Sequence, residues 1–143
     1  MHPDNVTWIT DNLAITNFFS AHDKDVLARE RVRAVLCLDR ESRGDSAADR
    51  GIECIEFVHL NDGANPMSVF KEAVLKLEKL TAKHTRVIVH CRAGRSRSVA
   101  IVAAYLIKTQ GIPASAALSI VRTKRESAVA EDLIRLVEQF EDS

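Results

Sequence analysis

The sequence predicts an α/β fold: a single three-layer domain over residues 1–143, with helices on both sides of a central mixed, largely parallel sheet of four to five strands. Two segments, 33–38 and 86–89, are almost continuously apolar, as expected for strands covered on both faces. An amphipathic helix pattern from Ser68 to Leu80 separates a strand pattern at 52–58 from the strand at 86–89, which makes a β-α-β unit with parallel strands. A length of 143 residues, 46% of them hydrophobic, suits one domain with a substantial core.

Shorter elements are predicted before this unit. Residues 6–9 and 13–16 flank a polar turn, which predicts a hairpin or two short edge strands. Ser20 or Asp23 can cap a helix that runs to about Arg31. These segments add an edge and one helix to the predicted sheet.

Two loops are predicted after strands. The polar segment from Asp39 to Arg50 predicts an exposed loop, in which Arg40 or Arg43 either contacts a substrate or belongs to a solvated turn. Residues 59–66 form a second loop by their turn residues.

The second half of the chain is predicted to be mainly helical. A buried helix covers 99–107, and a turn at 110–113 ends it. Further helices run from Ala114 to about Lys124 and from about Val129 to Phe140.

The most distinctive stretch is V-H-C-R-A-G-R-S-R-S at 89–98, between the last strand and the buried helix. A loop that closes onto a helix N-terminus points unpaired backbone N–H groups into one concavity, where the helix dipole adds about half a positive charge. Gly94 permits the backbone conformations that such a loop needs, and the planar guanidinium of Arg97 can grip two oxygens of a phosphate. The residues expected to bind the dianion are Arg92, Ala93, Gly94, Arg95, Ser96 and Arg97.

Cys91 lies at the mouth of this loop. The helix N-terminus and neighbouring cations favour its thiolate, which makes it a nucleophile aimed at the bound anion. Ser98 is expected to hydrogen-bond the thiolate or to assist its release, and His90 to brace the loop through its ring nitrogens.

A histidine and cysteine followed, after five residues, by arginine and serine resemble the signature of the cysteine-dependent protein tyrosine phosphatase superfamily. The whole run His90–Ser98 is most similar to the dual-specificity branch, and the similarity extends from about Leu13 to Phe140. The resemblance implies a protein tyrosine phosphatase-like fold and the hydrolysis of phosphotyrosine and phosphoserine or phosphothreonine through a phosphocysteine intermediate, without metal or cofactor. Residues 125–129 depart from the family, in which proline and asparagine are frequent here.

Phosphoryl transfer to Cys91 requires a proton on the departing oxygen, and a positioned carboxylic acid typically accelerates such a step about 10²- to 10⁴-fold. The loops that hold Asp62 and Cys91 follow parallel strands, so both leave the sheet at the same edge. Asp62 matches the position of the aspartate that serves as the acid in the dual-specificity family. The alternative is a turn residue before Gly63. Because the reaction requires Cys91 to be ionised while Asp62 is protonated, we expect a bell-shaped dependence of the rate on pH.

Composition and charge also indicate which partners and which cellular compartment to expect. The formal net charge is zero and aromatic residues are few, so no nucleic-acid partner is expected. Three cysteines in no framework spacing favour a reducing compartment, and the cytoplasm is the expected location. Cys54 is either plain core or a partner of Cys91 in a regulatory disulfide. The N-terminus is neither basic nor apolar, and no run approaches the roughly 20 apolar residues of a membrane span.

Alternatives remain open for the substrate. With Arg92 and Arg95, the loop resembles the basic signature loops of phosphoinositide and phosphatidylglycerophosphate phosphatases. Phospholipid head groups are therefore an alternative substrate class to phosphorylated proteins. A phosphate-binding pseudophosphatase without turnover is a third possibility, although Cys91, Arg97, Ser98 and Asp62 are all present. The sequence contains no metal-ligand spacing among its histidines and does not indicate an oligomeric state.

Overall fold

The computed structural model describes residues 5–143, which form one five-stranded sheet with helices on both faces. The strands are β1 (Thr7–Trp8), β2 (Leu13–Thr16), β3 (Ala34–Cys37), β4 (Cys54–Phe57) and β5 (Val87–His90). They lie in the order β1-β2-β5-β3-β4, and only the β1–β2 pair is antiparallel. This confirms the predicted α/β fold with a mixed, largely parallel sheet.

The helices divide between the two faces of the sheet. They are α1 (Phe18–Ala21), α2 (Lys24–Arg29), α3 (Ala47–Arg50), α4 (Met67–Lys83), α5 (Arg97–Gln110), α6 (Ala114–Lys124) and α7 (Glu131–Glu141). Val87 and Val89 of β5 point into the larger core, which α4, α5, α6 and α7 cover. Ile88 points into the smaller core on the other face, beneath α2. Successive side chains of β5 therefore point alternately into the two cores, as expected for a strand that is covered on both faces.

Parallel pairing brings the functional loops to one edge. β3 pairs with both β4 and β5, so the segments that follow Cys37, Phe57 and His90 all leave at the carboxyl edge of the sheet. The helix α5 then runs back through the larger core, where nine of its residues are buried. Its N-terminus is thereby fixed at the end of β5.

The segment 39–50 differs from the predicted exposed loop. Asp39, Ser42 and Arg50 are buried there, and the segment ends in the short helix α3. The three side chains take part in a hydrogen-bonded network beneath the loop that contains Cys91, and within residues 5–143 only Asp39 Oδ1 and Arg50 Nε among their buried atoms find no hydrogen-bond partner.

Cys54 cannot form a disulfide with Cys91 in this fold. It begins β4 opposite Ala34, which is paired in turn with Val87, four residues before Cys91. Two strand spacings and four residues of strand separate the cysteines by well over the roughly 7 Å that a disulfide can span. All three cysteines are free thiols.

Within residues 5–143 no helix has the length and apolar character needed to cross a membrane. Residues 1–4, which hold most of the N-terminal segment considered above, lie outside the described part of the chain.

Phe70 of α4 is fully buried against Phe140, whereas Phe19 is 68% exposed. We expect Phe70→Ala to lower the free energy of unfolding by about 3–5 kcal/mol, because it removes buried apolar surface and leaves a cavity. Phe19→Ala should change it by less than about 0.5 kcal/mol. Urea denaturation measures both, and equal effects would contradict this description of the core.

Candidate active site

The loop from Cys91 to Ser96 joins β5 to α5, and its carbonyl groups all point away from its centre. Leu38 N–H donates to His90 O, Phe18 N–H to Arg92 O, and Ala128 N–H to Arg95 O. The remaining carbonyls, of Cys91, Ala93, Gly94 and Ser96, also accept hydrogen bonds from groups outside the loop. Within residues 5–143, the N–H groups of 92–96 donate to no protein acceptor. Such a ring of free N–H groups at a helix N-terminus is suited to an anion.

Arg125, which sequence reasoning missed, holds two of these carbonyls from behind. It follows α6 and is almost completely buried, and its guanidinium donates from Nε to Gly94 O at 2.5 Å and from Nη2 to Ala93 O at 3.2 Å. Nη1 reaches Asn5 O, Thr7 Oγ1 and Ile15 O at 2.9–3.3 Å. Burial lowers the pKa of Arg125, although the nearby Cys91 works in the opposite direction.

Gly94 is the point at which this arrangement excludes a side chain. Its φ is +71°, and a Cβ there would lie 2.6 Å from Thr16 O and 2.5 Å from Arg125 Nη2. The loop is thus closed tightly against β2 and Arg125.

His90 braces the loop from the opposite face of the sheet. The ring is fully buried, and its Nδ1 lies 3.2 Å from Cys91 O while Nε2 lies 3.1 Å from Cys37 Sγ and 3.4 Å from Arg50 Nη1. A neutral ring with its proton on Nδ1 satisfies all three contacts. Burial lowers the pKa of His90 to about 4, which keeps the ring neutral at neutral pH.

The buried cluster around His90 extends to the surface through Arg50. Arg50 donates to Ala21 O, to Asp45 Oδ2 at 2.7 Å and to His22 Nε2 at 2.6 Å. His22 is half-buried in this cluster.

Cys37, Asp39 and His90 bring three potential metal-ligand atoms within 4.8 Å of one another, a cluster without any sequence spacing to reveal it. Burial raises the pKa of Cys37 to about 12, so its thiol stays protonated. The Arg50 guanidinium supplies the positive charge at this cluster, and with the protonated thiol it favours a structural network over a metal site.

The structure brings Asp62 to the loop. Ser96 Oγ donates to Asp62 Oδ1 at 2.5 Å and accepts from Ala130 N–H at 3.0 Å, so one hydroxyl joins the loop 58–66, the Cys91 loop and the start of α7. Arg97 adds a second link, from Nη1 to Leu60 O at 3.2 Å. The predicted meeting of two loops 29 residues apart is therefore observed.

Cys91 is 2% exposed, and Ser98 follows it in the first turn of α5. The Ser98 hydroxyl is fully buried, and it finds no hydrogen-bond partner among the residues that the structure describes. An unpaired buried hydroxyl is unfavourable, and this one is left free to donate a hydrogen bond.

Arg92 and Arg95 both have partners outside the loop. The Arg92 guanidinium lies over the rings of Phe18 and Phe19, at 4.9 and 5.6 Å, and Arg95 lies 3.6 Å from Glu126. At the same sheet edge, Arg40 and Arg43 line a cleft of about 580 Å³ together with His59, Phe57 and Glu72.

A cysteine that follows a buried parallel strand and precedes the N-terminus of a buried helix is typical of the cysteine-dependent protein tyrosine phosphatase superfamily, to which this chain belongs. Within it the chain belongs to the dual specificity phosphatase family, since the family described as "Dual specificity phosphatase, catalytic domain" matches residues 15–143. This confirms the predicted family and phosphatase function.

Curated relatives agree with this assignment, and a solved structure agrees in fold. The chain is 31% identical over 140 residues to Dual specificity protein phosphatase 1 of Arabidopsis thaliana, which covers 97% of this chain and 69% of that protein. It is 31% identical over 136 residues to Dual specificity protein phosphatase 1B of the same plant, covering 94% and 81%. The crystal structure of human DUSP28 is similar in fold, with a TM-score of 0.83, 19% identity, and coverage of 99% of this chain and 95% of that one.

Gly94→Ala should lower phosphatase activity by about a hundred-fold, because the new Cβ displaces the loop or Arg125 by an ångström or so. Gly51→Ala is the matched control, since Gly51 has a similar φ of +69° and nothing within 4 Å. Both variants place an alanine in the left-handed region, so both bear the same backbone strain. Thermal unfolding measures the effect of that strain on stability, and steady-state kinetics measures the additional effect of the displaced loop on activity. Equal activity in the two variants would contradict the tight closure of the loop.

The neutral buried His90 predicts an acid-sensitive fold. As pH falls from about 6.5 to about 4, unfolded chains gain a proton on this ring and folded chains do not, so stability falls by about 3 kcal/mol over that window. His90→Asn, whose amide can still donate to Cys91 O, should lose this part of the pH dependence. Urea denaturation at pH 7, 5.5 and 4.5 compares the two proteins, and parallel pH curves would refute the neutral-ring interpretation.

Proposed function

We propose that this chain hydrolyses phosphomonoesters of proteins in two steps through a phosphocysteine on Cys91. The Cys91 thiolate attacks phosphorus, and the bond from phosphorus to the leaving oxygen breaks while the free N–H groups of 92–96 and the Arg97 guanidinium hold the remaining oxygens. The single observation that carries the proposal is the loop whose carbonyls are all bonded outward and whose N–H groups are left free around Cys91.

Asp62 is the proposed acid and base. Its contact with Ser96 supports this role, because the hydroxyl fixes the carboxyl group beside the loop. Asp62 gives its proton to the leaving oxygen in the first step. In the second it takes a proton from the water that attacks phosphorus, as the S–P bond breaks.

Ser98 is the proposed group that stabilises the departing thiolate. Its buried, unpartnered hydroxyl supports this role, since it is free to donate a hydrogen bond to the sulfur of Cys91. His90 supports the same step indirectly, by holding the Cys91 carbonyl away from the anion.

Phosphorylated proteins are the proposed substrates. Arg92 and Arg95, which could mark a highly charged lipid substrate, lie against Phe18, Phe19 and Glu126, so neither arginine requires a lipid head group as its partner. The cleft beside Arg40 and Arg43 offers room for peptide that flanks the phosphorylated residue. We further propose that residues 1–143 form one catalytic domain and that it works in the cytoplasm, where its three thiols stay reduced.

The test is metal-free phosphate release, with chelator present, on a phosphotyrosine peptide, a phosphothreonine peptide, phosphoinositides and phosphatidylglycerophosphate. Wild type should turn over the peptides best, Cys91→Ser should be inactive, and Cys54→Ser should match wild type because Cys54 lies at the other end of the sheet. Asp62→Asn should be slowed about 10²- to 10⁴-fold and lose the dependence on a protonated carboxyl group.

Three outcomes would overturn parts of the proposal. Turnover by Cys91→Ser would exclude the phosphocysteine. A tenfold or greater preference for lipids would make this a lipid phosphatase and Arg92 and Arg95 its specificity residues. Binding of phosphopeptide by wild type without turnover would make it a pseudophosphatase.

A further inference from the structure

A second basic site lies at the edge of the sheet opposite Cys91. Four arginines and one threonine line a cleft of about 420 Å³ at the amino ends of β3 and β5. We call it the basic cleft, and its residues are Arg29, Arg31, Arg33, Thr85 and Arg86. It is separated from Cys91 by at least the length of β5, about 13 Å.

Arg31 occupies a backbone position that favours glycine. It follows the cap residue of α2 with φ of +57°, and the N–H groups of Arg31 and Val32 donate to Ala28 O and Leu27 O. This is the Schellman ending of a helix, in which glycine is the usual residue at the left-handed position. An arginine there costs stability relative to glycine, and its exposed side chain lines the cleft.

Arg86 is the second arginine of the cleft in the left-handed region, with φ of +60°. Its N–H donates to Asn12 Oδ1, and its carbonyl accepts from Arg33 N–H. The guanidinium lies 3.8 Å from the ring centroid of Trp8, and its Nε and Nη2 both donate to Glu30 O, at 3.0 and 2.7 Å. The side chain is therefore held rigidly, with its second terminal nitrogen, Nη1, left for another acceptor.

Arg31, Arg33 and Arg86 supply the positive charge that the cleft can offer to a ligand. Within the described chain, 5–143, no carboxylate forms an ion pair with Arg31, Arg33 or Arg86. The neighbouring carboxylate of Glu30 accepts from Trp8 Nε1, and that of Glu53 lies beside His84. Arg31, Arg33 and Arg86 therefore bring three cationic side chains to one cleft, and neither neighbouring carboxylate pairs with them.

We propose that the basic cleft docks a second phosphorylated residue of the protein substrate, away from the residue that reaches Cys91. Guanidinium groups bind phosphate oxygens in pairs, and a concave site lined by arginines suits a single phosphate better than a diffuse anionic surface. This inference rests on the proposed function, in which the substrate is a phosphoprotein.

The surroundings of the cleft favour a peptide over a membrane or nucleic acid. The exposed large apolar side chains of residues 5–143 are Phe19 and Leu75, and neither lines the cleft, so no side chain there would enter a bilayer. The one aromatic ring beside it, Trp8, is covered by Arg86 and is not free to stack on a base.

The experiment is an amide NMR titration of Cys91→Ser protein with a peptide that carries two phosphothreonines about ten residues apart, and with its singly phosphorylated form. We expect the doubly phosphorylated peptide to shift residues 31, 33 and 86 as well as the Cys91 loop, and to bind at least fivefold more tightly than the singly phosphorylated peptide.

Two substitutions test the arginines. Arg31→Gly removes the strained side chain, so it should fold at least as stably as its parent yet lose the fivefold advantage and the cleft shifts. Arg33→Gln should weaken the advantage, whereas Arg122→Gln, an exposed arginine on α6, removes the same charge elsewhere and should leave it intact. If Arg31→Gly proves less stable than its parent, the docking site is tested by comparing Arg33→Gln with Arg122→Gln, of which only Arg33→Gln should weaken the fivefold advantage.

The outcomes separate this inference from the proposed function. Shifts confined to the Cys91 loop, or equal losses in Arg33→Gln and Arg122→Gln, overturn the docking site and leave the phosphatase proposal standing. Cleft shifts with anionic vesicles or single-stranded DNA but not with the phosphopeptide overturn the choice of partner. Cleft shifts without loop shifts support the docking site and contradict phosphopeptide binding at Cys91.

Discussion

The structure depends on one constraint, the satisfaction of every carbonyl from His90 to Ser96 by groups outside the loop. A short loop can present its N–H groups to an anion only if its carbonyls are turned away, and buried carbonyls need partners. The residue after β3, the helices α1 and α5, the segment after α6 and the His90 ring each contribute a donor. Arg125 contributes two, and it also ties the loop to Asn5, Thr7 and Ile15, so the site is formed before any phosphate arrives.

Charged and neutral side chains occupy distinct positions behind this loop and within it. Burial keeps His90 neutral and the Cys37 thiol protonated, while the buried guanidinium groups of Arg50 and Arg125 contact the His90 ring and the Gly94 carbonyl. Arg97 donates to Leu60 O, two residues before Asp62, and the carboxylate of Asp62 accepts from Ser96 Oγ in the loop. Ser96 couples the positions of the proposed acid and of the loop, because it bonds to Asp62 and to Ala130 N–H at once. A change in any of the three connected segments is therefore expected to move the proposed acid.

Local patterns in the sequence predicted most of the fold, and topology predicted part of the site. Continuous apolar runs marked β3 and β5, and the β-α-β unit was enough to bring Asp62 beside the Cys91 loop. The roles of Arg125 and Arg50 were not predicted, because nothing in the sequence around either residue distinguishes a buried arginine from a solvated one. Arg125 contacts residues 31 to 120 positions away, and Arg50 acts in a segment whose charges predicted exposure. Such residues are stabilised only by partners that the folded chain supplies.

The central claim is that Cys91, in this preformed loop, carries the phosphoryl group during turnover. The most direct measurement is rapid acid quench of wild type mixed with a ³²P-labelled phosphopeptide, followed by mass spectrometry to locate the label. The account predicts up to one phosphoryl group per chain, on the sulfur of Cys91 and absent from Cys91→Ser. A label on another residue, or full turnover with no labelled protein at any time point together with activity in Cys91→Ser, would contradict it.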